Sequence, residues 1–103
     1  MIFGKKIPAG DIHLIQHRWK NLNKLEDIYK RLYEAYHLYQ YAISKLKSIP
    51  KFKNQSELTE AINVINKIND VEDFTLTANI ATTAISQFEK ALIQLKILGK
   101  SKT

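Results

Sequence analysis

An all-α fold is what this sequence of 103 residues predicts, and three observations carry the prediction. Glycine and proline are scarce, at three and two residues, while 45% of the chain is hydrophobic, which suits neither a disordered chain nor a turn-rich β domain. Apolar residues recur at helical spacing along most of the length. The few breakers fall between those periodic stretches. The architecture expected is a long antiparallel helical hairpin or a three-helix bundle, self-associating into a larger helical bundle. A chain of this length buries roughly two thirds of its unfolded surface and supports one core, so residues 11–98 are read as a single helical domain.

Residues 1–10 contain Gly4, Pro8 and Gly10 and predict an irregular N-terminal arm, with Asp11 as the N-cap of the first helix. From there Ile15, Leu22, Tyr29, Tyr36 and Ile43 recur every seven residues. A second row, Arg18, Leu25, Leu32, Tyr39 and Leu46, follows three residues on, with Arg18 its one polar member. Lys20, Lys24, Asp27, Lys30, Arg31 and Glu34 fall outside the stripe. One helix over about 11–48 fits, roughly 57 Å long at 1.5 Å per residue, and Pro50 limits it because a residue before proline is pushed out of the helical region.

After the turn "SIPKFKN", Asn54 and Glu57 have capping-box spacing, and Leu58, Ala61, Ile62, Ile65 and Ile68 form the apolar face of a helix over about 55–69. Phe74, Ala78, Ala81, Ile85, Phe88, Leu92 and Leu95 form another. The two faces do not join in phase, so a break near Asn69 and Asp70 is expected, with the acids at 70, 72 and 73 favouring the N-terminus of a helix over about 72–98. Gly99 is the expected stop, followed by a basic tail over 99–103. Phe74 to Ile80 also alternates apolar and polar residues as a strand does, but no other segment offers a partner strand.

Residues 74–88, "FTLTANIATTAISQF", carry no charge in a chain that is 25% charged. One side of this stretch belongs to the core. The other holds Thr75, Leu76, Asn79, Thr82, Thr83 and Ser86, where a solvated helix usually carries Lys and Glu. Burying an ion is costly, so this depletion marks a surface meant to be covered, by a second copy or by another protein. Two long helices alone would also leave a flank of each stripe open, which a dimer would close. The tyrosines at 29, 33, 36 and 39 suit a seam or an edge where phenol hydroxyls reach partners.

The net charge of +6 is unevenly spread: up to Lys53 there are eleven Lys or Arg against four acids, and beyond it five against six. The densest cluster is "SKLKSIPKFK". Lys45, Lys47, Lys51 and Lys53 would meet phosphates there, with Phe52 exposed for base stacking, in a nucleic-acid-binding alternative. An anionic membrane surface is a further partner for the same tip.

Signals for catalysis are weak. His13 and His17 lie four apart on a polar face with only Asp11 nearby, and Glu34 and His37 have the spacing of di-metal bundles but point outward, so neither pair predicts a metal. Arg31 and His37 stand at the Arg-x(4–6)-His spacing of the HEPN ribonucleases, in which Arg would stabilise phosphate charge and His would act on the 2′-hydroxyl. Leu32 occupies a position often polar in that family and nothing else in the chain matches, so no resemblance is claimed. Without cysteine there is no disulfide or thiol chemistry, and no segment reads as a signal peptide or membrane span, which gives a cytoplasmic expectation. No cofactor is expected. The function expected is a non-enzymatic protein-interaction module, of the adaptor, chaperone or immunity type, working through the uncharged face.

Overall fold

The protein is all-helical in a computed structural model that describes residues 7–99. Four helices pack on one another: α1 (Ala9–Lys20), α2 (Ile28–Ser44), α3 (Gln55–Asp70) and α4 (Ala78–Gln94), with a single 3₁₀ turn at Leu22–Lys24. Among the described residues there is no strand, and no helix is long and apolar enough to cross a membrane. The extents are 44 × 27 × 25 Å, too short for the 57 Å helix expected over 11–48.

That helix is two helices folded against each other. Asn21 ends α1, and Asp27 caps α2 by accepting a hydrogen bond from the Tyr29 backbone N–H at 2.9 Å. Arg31 holds the intervening loop, its Nε donating to the Leu25 carbonyl at 2.6 Å. The fold-back brings Arg18 onto Glu34 through two hydrogen bonds of 2.8 Å, where one continuous helix would have held these residues about 24 Å apart. At the other end of α1, Asp11 accepts from the Tyr41 hydroxyl and lies 3.8 Å from the Lys45 ammonium. These two meetings make α1 and α2 antiparallel. Asp11 is therefore a bridge to α2, and Pro8 precedes the first helical residue in its place.

The other boundaries moved less. Helix α3 agrees with the expected span to within a residue, but Asn54 makes no capping hydrogen bond with its side chain, which is committed to α4 instead. Helix α4 begins at Ala78, not 72, because the Thr77 hydroxyl accepts from the Ile80 N–H at 3.2 Å. The alternating residues before it are irregular backbone, with Leu76 buried, Phe74 half-buried and Thr75 and Thr77 exposed. Gly99 is not the stop either. Lys96, at φ 65°, reverses the chain, with Ile97 N–H on the Leu92 carbonyl at 3.0 Å and Lys96 N–H on the Ile93 carbonyl at 2.9 Å. This is a Schellman motif with lysine where glycine is usual, completed by burial of both Ile97 and Leu92. Ala9 and Gly10 are helical, which shortens the expected arm; residues 1–6 and 100–103 lie outside the described residues.

Helices α2 and α4 are the central pair. Tyr36 and Tyr39 meet the Phe88 ring at 5.5 and 5.3 Å, and Tyr39 meets Phe52 at 6.2 Å. Further along, Leu38 and Ala42 share a second cluster with Ile15, Leu92 and Ile97. Tyr36 and Tyr39 thus lie in the seam with α4, whereas Tyr33 reaches α3, its hydroxyl donating to Asn69 Oδ1 at 3.0 Å, and Tyr29 is exposed. Helix α1 packs on α2, and α3 packs on α4. Leu32, Leu58, Phe88 and Leu92 are fully buried, each a gain of about 2 kcal/mol over exposure.

Candidate docking surface

Helix α4 has two unlike sides. Ala81, Ala84, Phe88, Ala91 and Leu92 face the core, while Asn79, Thr82 and Thr83 are exposed and Ser86 is half-exposed. Thr75 lies exposed in the preceding segment. Of the six residues expected on the uncharged face, five stand at the surface. Leu76 does not: at 7% exposure it joins the main core, because alternation in the extended lead-in turns it inward.

Beside this face runs a groove of about 410 Å³ between α3 and α4. Its floor is Ala61 and Ala84, its walls include Val64, Ile80 and Thr83, and Glu57 and Glu60 stand on the α3 rim. Two alanines meeting across a helix pair bring the backbones close but fill little of the space between the flanking side chains, so the groove stays open and apolar. Asn79 and Thr83 link it to the outer face of α4.

At one end of the groove a buried amide network fixes the register of the two helices. Asn54 Nδ2 donates to Gln87 Oε1 at 2.8 Å and to the Gln87 carbonyl at 3.2 Å, while Gln94 Nε2 donates to Asn54 Oδ1 at 2.9 Å. Gln94 Oε1 in turn accepts from the Lys53 backbone N–H at 2.8 Å. Asn54 and Gln87 are each 8% exposed. Gln87 lines the groove, and its Nε2 finds no acceptor among the described residues. The sequence reading placed Ala61 on the apolar face of α3 without a groove, and missed Gln87 and Ala84. Their only signal is small or amide residues on inward positions of two helices, which means nothing until the helices are paired.

The lysine tip has a different fate. Phe52 is 4% exposed and packed at a tilt against Tyr39, so the expectation that it is exposed for stacking on bases is overturned: closing the α2–α3 connection over the core requires it inside. Lys45 lies against the Tyr41 ring at 5.0 Å, beside Asp11. Lys47, Lys51 and Lys53 remain exposed, around an Ile49 that is 68% exposed.

The remaining polar residues of interest have structural partners. Arg31 is occupied by the Leu25 and Glu26 carbonyls, Glu34 by Arg18, and His17 by Asn21 at 3.2 Å, while His37 is exposed. Among the described residues no three His, Asp or Glu side chains gather as a metal set would. No protein family, curated protein or solved structure matches this chain.

Proposed function

We propose that this chain is a small, non-enzymatic protein-interaction module that receives a helix of a second chain on the outer face of α4 and in the groove beside it. The observation that carries the reading is the charge-free exposed surface of Asn79, Thr82, Thr83 and Ser86, continuous with an apolar groove, on a chain one quarter charged. Covered by a partner, such a surface desolvates no ion, and its short side chains permit close approach of a second helix. An adaptor, chaperone or immunity-type role is of this kind.

The test is the double substitution Thr82→Glu with Thr83→Lys. Both sites are exposed, so folding stability is expected to stay within about 0.5 kcal/mol of the parent. Sedimentation of the purified chain, and affinity capture from the source cells, then compare the two forms. The expected result is a complex, with itself or with a captured protein, that the double substitution removes. A chain that is monomeric in both forms and captures the same proteins equally overturns the proposal.

A further inference from the structure

We infer that the occupant of the α3–α4 groove is a cationic amphipathic helix of another protein, an inference that rests on the docking reading above and names its partner. Three features point the same way. The floor of Ala61 and Ala84 between Val64 and Ile80 leaves a space that this chain's own side chains do not fill and that an incoming Leu, Met or Phe would. The rim carries Glu57 and Glu60, neither of which makes an ion pair among the described residues, although the chain has sixteen Lys and Arg. Glu57 sits in the first turn of α3 and favours that helix's N-terminus, but Glu60 lies beyond the first turn and has no such role. Gln87 is the third feature. It is 8% exposed and held by Asn54 through its oxygen, and its Nε2, which has no protein acceptor among the described residues, still reaches solvent beside the groove and is free to donate.

These features also set the length and pattern of the occupant. Glu57 to Val64 spans about 10 Å of α3, or two helical turns. An occupying helix therefore needs apolar residues at i, i+3 or i+4 and i+7, a Lys or Arg flanking them toward Glu57 and Glu60, and an acceptor for Gln87.

The probes are two synthetic helices of about four turns with the same leucine stripe, one flanked by Lys and Arg and the other by Glu. Each is titrated into the isotope-labelled full chain and followed by amide chemical shifts. Bulk charge favours the anionic peptide, so a preference for the cationic one reports the local rim. The expected result is saturable binding of the cationic peptide, with shifts at Ala61, Val64, Ile80, Ala84 and the Gln87 side-chain amide, weakened at least about tenfold by Glu57→Lys with Glu60→Lys. Because Glu57 and Glu60 are exposed, that variant should fold, and a thermal melt checks it. Equal binding of both peptides, binding of neither, or shifts confined to the lysine tip overturns the inference. So does a concentration-dependent dimer that Thr82→Glu with Thr83→Lys dissociates, and that outcome would leave the docking reading standing.

Discussion

The two outer seams of the bundle are built on opposite principles. Helix α1 is tied to α2 by ionic and charge-assisted contacts near the surface, Arg18 with Glu34 and Asp11 with Tyr41 and Lys45. Helix α3 is tied to α4 by neutral amides, Asn54 and Gln87 almost fully buried and Gln94 partly so. A half-exposed ion pair loses little when broken, because water takes over both charges. A buried amide cannot be rehydrated, so breaking its network leaves donors and acceptors orphaned. The first seam folds a hairpin at low cost. The second fixes a register, and the fixed register is what holds the groove open.

Several substitutions would sharpen or break that contrast. The largest effect belongs to Phe88, fully buried against Tyr36 and Tyr39 in the α2–α4 core that both outer helices pack around: Phe88→Ala should cost about 3–5 kcal/mol in urea unfolding. Asn54→Ala should cost about 2 kcal/mol, unaffected by salt, since it strands the buried Gln87 oxygen and removes the acceptor of Gln94. Arg18→Ala should cost about 1 kcal/mol or less, shrinking as salt is raised, because its side chain is 40% exposed. Equal costs with equal salt dependence would erase the distinction between the seams.

Lys96→Gly runs the other way. Relieving a left-handed lysine at the α4 terminus should stabilise the protein by about 0.5–1 kcal/mol in the same measurement. The smallest effect is a pH dependence. The hydrogen bond to Asp11, then burial, then the Asp11 charge push the Tyr41 hydroxyl above its ordinary 10.0, and burial followed by the neighbouring Tyr36 does the same for Tyr39. A folded-state pKa above the unfolded one means stability fully present below about pH 10 and lost as pH rises through the folded values. Thermal melts at about pH 9 and pH 11.5 should show the parent losing more stability than Tyr41→Phe, which no longer ionises at that position.

Part of this was legible in the residues alone. The α3 span and the absence of charge from the first three turns of α4 are local properties, set by periodicity and composition, and the structure places both in helices. The break at 21–27 was not legible, because Leu22, Leu25 and Ile28 keep the helical period across it while "NLNKLED" supplies Asn21 and Asp27 as caps. Arg18, the one polar residue in an apolar row, was the visible anomaly. Its meaning appeared only with Glu34 opposite it.

By itself, then, the sequence determined that this protein is helical, roughly where apolar faces lie, and that the first three turns of α4 carry no charge on their outer side, since each is decided by neighbours within a few turns. The tertiary structure alone decided that residues 9–44 fold back as two helices, that Phe52 and Leu76 turn inward, and that alanines from two helices leave a groove with Gln87 at its edge. Those outcomes depend on pairs of residues distant in the chain, and no local pattern specifies such pairs until the core has closed around them.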